Sequence, residues 1–392
     1  MLGNRVFLLY VILWWWGNKC RIIAILAFWE DYMERRKFLT GTALAGAGAA
    51  TVLATPAISQ GREKLTMVTA WGRGAAGVWD AAQHYADSVA AITDGTLEIE
   101  LKAQGELVSG LPAVFDAVTS GQADQYHAAD YYYVGQHPAM AFFTAVPFGM
   151  VPTEMHNWYY HMGGHELHRE VGEELGLVSF LGGNTGPQAG GWFRKEINSA
   201  ADFNGLKFRM PGLGGAALGR LGASVQTLPG GEIYQALASG AIDGTEWIGP
   251  WADETAGFQE ITKIYYTSGF HEPGAALSVA TNIDRWDSLS EAHQRAIEVA
   301  SAETELWSLS QFLAKNSEAL ERLKAGGVRT LEFPDDVWDA FGAASKEVME
   351  ENMGNELFAR TYDSMQNAMR LSNDWNTLSA VAYARQRTRV IG

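Results

Sequence analysis

The sequence predicts an α/β protein of two similar lobes with mainly parallel sheets, a long lobe-spanning helix and extra C-terminal helices. Three observations carry this expectation. From residue 61 onward, strand and helix patterns alternate, which signals α/β layers. An eight-residue segment recurs, as Ala117–Asp124 and Ala236–Asp243, with a helix ending at glycine and an aspartate before a strand in both copies. A heptad-spaced apolar stripe then runs further than one lobe needs.

The elements follow in order. Lys64–Trp71 reads as a strand, and Gly77–Thr93 has helical spacing that stops at Asp94-Gly95. Thr96–Ala103 alternates as a strand, with Leu97, Ile99 and Leu101 on one face and Glu98, Glu100 and Lys102 on the other. Leu111–Thr119 reads as a helix closed by Gly121. Further on, Ser288-Leu289-Ser290-Glu291 has the form of a capping box. Val299, Leu306, Leu313 and Leu320 repeat every seven residues up to Gly326-Gly327. At 1.5 Å per residue that helix is about 50 Å long, enough to cross both lobes or project into a partner. Asp335–Met349 and Glu356–Ala384 add amphipathic helix.

Residues 1–59 form an upstream and export-signal segment. The apolar runs Val6–Trp16 and Ile22–Trp29 are each shorter than the roughly 20 residues a membrane span needs. Met33 opens a better leader. Arg35, Arg36 and Lys37 form its basic region, Phe38–Leu53 its apolar region, and Ala57-Ile58-Ser59 a small-residue cleavage site. Arg-Arg-x-Phe-Leu resembles a twin-arginine signal, and an ordinary secretory signal with two arginines is the other reading. Both place the mature chain in the periplasm, and both take Met33 as the true start, with residues 1–32 as upstream sequence or an unusual anchor.

The chain carries a formal charge of −16. Residues 1–59 hold six Lys/Arg and three Asp/Glu, so the mature part stands near −19. That acidity argues against nucleic acid and anionic membrane surfaces as partners. The single cysteine, Cys20, lies in the leader, which removes disulfides and thiolate chemistry from the mature protein. The chain lacks Gly-x-Ser-x-Gly, His-Glu-x-x-His and a P-loop, and Gly212-Leu213-Gly214-Gly215 has neither the spacing nor the lysine of a phosphate loop. His161, His165 and His168 have the spacing of a helical zinc site, but Gly163-Gly164 interrupts the helix.

What remains is a polar cluster set in apolar, glycine-rich sequence. Arg209 follows Leu206 and Phe208 and precedes Pro211-Gly212, the setting of a strand that enters a cleft. Its planar fork matches a carboxylate through two parallel charge-assisted bonds. Glu246, beside Trp247, is costly to bury without a partner, which Arg209 would supply. Asn184, in a glycine-rich turn, has an amide suited to a ligand oxygen. In the run Tyr131-Tyr132-Tyr133 at least one ring should line the cleft, and Tyr133 is the choice. Glu272 falls where the chain should recross between lobes, placed to bond a ligand hydroxyl, to orient Trp247 or to face solvent. Trp71, Trp192 and Trp251 serve equally as cleft walls or as core.

Gly205-Leu-Lys-Phe-Arg-Met-Pro-Gly212 resembles the signature of the solute-binding proteins of tripartite ATP-independent periplasmic (TRAP) transporters, the DctP type. The run Gly182–Gly191 with Trp192-Phe193, together with Thr245-Glu-Trp-Ile-Gly-Pro250, is similar to the branch that binds 2-oxo and 2-hydroxy monocarboxylates with a cation. The resemblance spans essentially the mature chain. It implies a hinged periplasmic binding protein fold with no catalysis, and delivery of a small organic carboxylate to a membrane permease. In it, Arg209 holds the ligand carboxylate, and Gln188, Glu246 and the Trp247 carbonyl hold Na⁺ or Ca²⁺. Such all-oxygen donors suit these ions rather than zinc. The expected division is 61–182 with 272–300 as lobe 1, 183–271 with 301–340 as lobe 2, and 341–392 as C-terminal helices. Related members pair through an extended C-terminal helix, so a homodimer is expected; the alternative is that these helices wrap back over their own lobes. The competing function is an exported metal-assisted lyase or hydrolase acting on a small carboxylate.

Overall fold

Two sheets, each with one strand reversed against the rest, organise this computed structural model, which describes residues 62–392. The leader and its cleavage site lie outside the described residues. The first sheet has the order β2-β1-β3-β10-β4 and is built from β1 (Glu63–Thr69), β2 (Leu97–Lys102), β3 (Gln125–Ala128), β4 (Leu177–Asn184) and β10 (Ala276–Asn282). Only β10 runs against its neighbours there. The second has the order β11-β9-β5-β8-β6-β7, from β5 (Gly191–Phe193), β6 (Lys207–Arg209), β7 (Ser224–Gln226), β8 (Gly244–Thr245), β9 (Ile264–Tyr266) and β11 (Arg329–Leu331). In it only β5 is reversed.

The recurring octapeptide has a structural meaning. In the first lobe β1 leads through α1 (Val78–Ile92), β2 and α2 (Leu111–Thr119) to β3. In the second, β6 leads through α5 (Gly212–Arg220), β7 and α6 (Gly230–Ser239) to β8. Asp124 and Asp243 occupy equivalent corners. The Asp124 carboxylate accepts the Thr66 N–H at 2.7 Å, and that of Asp243 accepts the Lys207 N–H at 3.0 Å. Their own N–H groups donate back to the Thr66 and Lys207 carbonyls at 2.9 and 2.6 Å. Each aspartate thereby fixes the register between a central strand and the next.

Period-two alternation splits consecutive apolar residues between layers. Phe180 faces one core with Leu65, Met67, Val279 and Ile297, while Leu181 faces the main core. Trp192 and Tyr265 pack on one side of the second sheet, and Phe193 and Tyr266 on the other. The main cluster runs without a break from Tyr126 and Phe143 in the first lobe to Phe208, Phe333 and Phe341 in the second.

The chain passes between sheets three times: after β4 (185–190), before β10 (267–275), and within α9 (Glu291–Ala325), which packs on β4 and α1 at one end and on α7 (Pro250–Ala256) at the other. Ser290, not Ser288, caps α9, its hydroxyl accepting the His293 N–H at 3.2 Å; Ser288 instead ends α8 (Ile283–Ser288). The heptad stripe of α9 is its outer face. Leu306 is 65% exposed and Val299 and Leu313 are also exposed, whereas Ile297, Ala300, Thr304, Ser308 and Phe312 are buried. The buried set follows the natural helical period near 3.6, from which a seven-residue repeat drifts.

Two helices carry the second half of the main core outward: α10 (Asp335–Asn352) lies on α5, and α11 (Glu356–Asn376) on α3 (Pro152–His161) and α4 (Gly164–Glu174). Within α11, Leu357, Phe358, Met365 and Ala368 are buried on the chain's own first lobe. Beyond them Leu371, Trp375 and Leu378 are exposed, as are Val381 and, in α12 (Ala382–Ile391), Tyr383 and Ile391. The C-terminal helices thus wrap back over their own lobes, α10 on the second and α11 on the first, to about Ala368, and the chain beyond stands free.

Candidate functional site

Arg209 is the last residue of β6, and Glu246 follows the last residue of β8. Opposite them, Trp71 follows β1, and a 3₁₀ turn, Asp130–Tyr133, follows β3. The carboxyl ends of the parallel strands of both lobes therefore converge, the usual place for a ligand in α/β folds. The two crossing strands pass through this point and are joined there: Gln188 N–H donates to the Glu272 carbonyl at 3.0 Å, and Thr185 N–H to the Ala275 carbonyl at 2.9 Å.

Arg209 is 1% exposed and Glu246 fully buried. The guanidinium donates through Nη1 to the Glu246 carboxylate and through Nε and Nη2 to the Leu228 carbonyl, both at 3.1 Å. It also lies 5.3 Å from the Trp247 ring. Gly230 makes room for that indole, since a Cβ there would come within 2.3 Å of it. Burial favours the neutral form of Arg209, but the Glu246 charge overrides it and raises the guanidinium's pKa.

Several buried acceptors here lack partners: Gln188 Oε1, Glu246 Oε2 and Glu272 Oε2. The Gln188 amide nitrogen is committed to Thr185 at 3.0 Å, which fixes which end of the side chain is free. Burial, and then the Glu246 charge, push the Glu272 carboxyl well above the usual carboxylate range. His271 belongs to the same cluster, with Nε2 3.4 Å from Glu246 Oε2 and neither ring nitrogen bonded. One ligating atom from each of Glu246, His271 and Glu272 lies within 4.8 Å of the others. Unbonded oxygens around a buried glutamate are costly unless a cation or ligand completes them, and oxygen donors fit a hard cation.

The structure brings together Arg209, Gln188, Glu246, Trp247 and Glu272. It does not bring in the side chain of Asn184. Its amide nitrogen donates to Glu305 at 2.9 Å and its oxygen accepts the Gly186 N–H at 2.8 Å, so both polar ends are spent on the hinge. Nor does Tyr133 reach the cluster; it packs in the first-lobe core against Phe115 and Tyr126, at 5.1 and 5.3 Å between ring centroids. Tyr131 and Tyr132 face the charges instead, lining an inner pocket with Trp71, Gln188, Trp247 and Leu277. A 3₁₀ turn rotates successive side chains by a third of a turn, so only part of the tyrosine run can face the cleft. Of the three tryptophans, Trp71 lines the cleft, Trp192 stacks on Tyr265 in the core, and Trp251 packs on Phe312. The histidine trio is divided between α3 and α4 by Gly163, and His168 is buried against Asp130 at 3.0 Å. From the tyrosine run that the sequence marks for the cleft, Tyr131 and Tyr132 line it in place of the expected Tyr133; His271 was not expected, and its adjacency to Glu272 was the available signal.

Hinged lobes with a buried cationic fork and unsatisfied oxygens at the crossing define a ligand-binding protein. The chain belongs to the DctP family, bacterial extracellular solute-binding protein family 7, which it matches over residues 75–356. It is 38% identical over 358 residues to a monocarboxylate 2-oxoacid-binding periplasmic protein of Nostoc sp., covering 90% of this chain and 98% of that one. A TRAP transporter solute-binding protein of Bordetella bronchiseptica superposes with a TM-score of 0.82 at 34% identity, over 84% of this chain and 98% of its own. That structure is a mixed-occupancy dimer, with calcium and picolinate in one site and the other site apo. A TRAP periplasmic solute-binding protein of Pseudoalteromonas atlantica, with bound sodium and pyruvate, gives 0.79 at 34% identity, over 83% and 99%. Among the described residues no helix is long and apolar enough to cross a membrane.

Proposed function

We propose that this chain is a periplasmic solute-binding protein that captures a small 2-oxo or 2-hydroxy monocarboxylate, such as pyruvate or lactate, and delivers it to a TRAP permease. The observation that carries the reading is the buried Arg209–Glu246 pair facing the unpartnered oxygens of Gln188 and Glu272 between the two lobes. In this reading Arg209 binds the ligand carboxylate, and its Leu228 bonds hold the fork in position. Gln188, Glu246 and the Trp247 carbonyl would hold Na⁺ or Ca²⁺, which supplies positive charge beside the ligand. Tyr131, Tyr132 and Trp71 close the pocket on the first-lobe side, with Glu272 toward the ligand or its cation. The cleft mouth, about 310 Å³ and lined by Trp71, Arg73, Gly230, Tyr234 and Trp247, admits a small acid. Both crossing strands carry site residues, so binding acts on the hinge itself.

The lobe division 61–182 with 272–300 and 183–271 with 301–340 is supported by sheet membership, with 341–392 as the C-terminal helices. The exposed stripe Val299–Leu306–Leu313 and the free C-terminal end support a homodimer, since such faces are buried in stable proteins. Calorimetry with pyruvate and lactate, on protein freed of metal and then given sodium or calcium, tests the function. Stoichiometric binding that strengthens with cation is expected. No binding of any such acid, or turnover in place of binding, overturns it.

A further inference from the structure

We infer that Phe148 is an aromatic latch between the lobes, a positioning residue that holds the closed form and sets how long a bound solute stays. The inference rests on the hinged solute-binding reading above, and goes from the site to the control of its closure.

Among the described residues two non-glycine positions have left-handed backbone, Asp94 at φ 51° and Phe148 at φ 55°. Aspartate tolerates that region through its short polar side chain, whereas a bulky aromatic residue is strained there. The cause is a four-residue turn between the first-lobe core and α3. Gly149 N–H donates to the Val146 carbonyl at 2.9 Å, Pro147 stands second, and Phe148 takes the third position, where glycine is usual. Val146 and Met150 are buried in the main core, but Phe148 is 41% exposed. Burial therefore does not account for a phenylalanine at a glycine position; its contacts do.

Those contacts lead out of the first lobe. The Phe148 N–H donates to the Phe270 carbonyl at 2.8 Å, on the crossing before β10 and two residues ahead of Glu272. Its ring centroid lies 6.0 Å from that of Phe270 and 5.9 Å from that of Trp338 on α10. The ring tip sits over Gly342, one turn further along α10, where a Cβ would lie 3.9 Å from it. Phe270 also stacks on Phe341 of α10 at 3.8 Å. Since α10 packs on α5, the ring of a first-lobe turn is seated on a helix that the second lobe carries. The lobes meet in this conformation: the inner pocket between Trp71 and Tyr131 on one side and Trp247 on the other is about 10 Å³. Rotation about the crossings pulls the ring off Trp338. The seated ring offsets the strain of its own turn, so the latch holds closure and still releases it.

The test is stopped-flow binding and release of pyruvate by the full chain in calcium, read by tryptophan fluorescence, for the wild type, Phe148→Ala, Phe148→Tyr and Trp338→Leu. Phe148→Ala should release pyruvate at least about tenfold faster and change association by less than about threefold, because the latch acts after the lobes have met. Phe148→Tyr keeps the ring and should stay within about twofold of the wild type. Trp338→Leu should speed release as Phe148→Ala does, and the double variant should add little, since both remove one contact. Small-angle X-ray scattering of pyruvate-bound Phe148→Ala should give a larger radius of gyration than the bound wild type. If Phe148→Ala does not fold, Phe148→Gly suits the backbone of the turn, and Trp338→Leu leaves the turn untouched. Release unchanged in Phe148→Ala and Trp338→Leu, or a lower melting temperature with unchanged release, overturns the inference alone. A wild type that binds neither pyruvate nor lactate overturns the underlying reading as well.

Discussion

The side-chain amide of Asn184 donates to the carboxylate of Glu305 at 2.9 Å, which pins the end of β4 to the middle of the helix that spans both lobes. The same carboxylate accepts the Gly183 N–H and bonds His156 Nε2, each at 3.0 Å, while Ser308 accepts the Asn184 N–H at 2.7 Å. Glu305 is buried, so its oxygens depend on these partners. The first crossing strand leaves from this clamp and reaches Gln188 four residues later.

Glu305→Gln should therefore destabilise the protein by about 1–3 kcal/mol, since one of the facing donors meets an NH₂ instead of an oxygen. Urea unfolding measures it. An unchanged midpoint would show that the clamp is slack.

Arg209→Ala should abolish carboxylate binding and cost about 3–5 kcal/mol of stability, because Glu246 is left buried without its partner. Arg209→Lys keeps the charge but loses the fork, and its affinity for pyruvate should fall at least about hundredfold. Calorimetry giving Arg209→Lys near-native affinity would refute two-point recognition.

Acid should weaken the fold through His127. Its Nδ1 accepts the Trp71 indole N–H at 2.7 Å, and its Nε2 bonds the Gly182 carbonyl at 3.0 Å, an arrangement for the neutral ring. Burial lowers its pKa from 6.5 to about 4. The unfolded chain thus binds the proton first, and stability is full above pH 6.5 and is lost as pH falls toward 4. Denaturation curves between those limits should show this loss, with a shallower slope for His127→Asn, which keeps an acceptor for Trp71. Equal slopes for the two proteins would remove His127 from the account.

A dimer should form through the outer face of α9 and the free C-terminal helix. Light scattering should give the mass of two chains at micromolar concentration. Trp375→Asp, at a residue 70% exposed, should give the mass of one folded chain, with a melting temperature that no longer rises with protein concentration. A wild type that scatters as a single chain would mean that both faces stay exposed.

Much of this architecture was legible in sequence because its causes are local. The helix Leu111–Thr119 has the bounds its pattern predicts, and the aspartates of the repeated octapeptide close equivalent strand pairs. Gly205–Gly212 and Thr245–Pro250 bear the family's motifs, and from them Arg209, Glu246 and Trp247 could be named before any fold was known. Period, capping and motif act over a few residues, where the chain's own geometry dictates the outcome.

What tertiary structure alone decided are the partners of side chains far apart in the chain. Asn184 has the chemistry of a ligand contact, yet a glutamate 121 residues away takes its amide. The turn after β3, not the identity of the residue, sends Tyr131 and Tyr132 to the cleft and Tyr133 to the core. The heptad of α9 marks apolar residues but not which face the lobes cover, because two lobes on one helix set the buried stripe by where they dock. Sequence determined which residues carry charge, amide or ring; topology decided which of them meet, since packing and hydrogen bonding depend on neighbours in space.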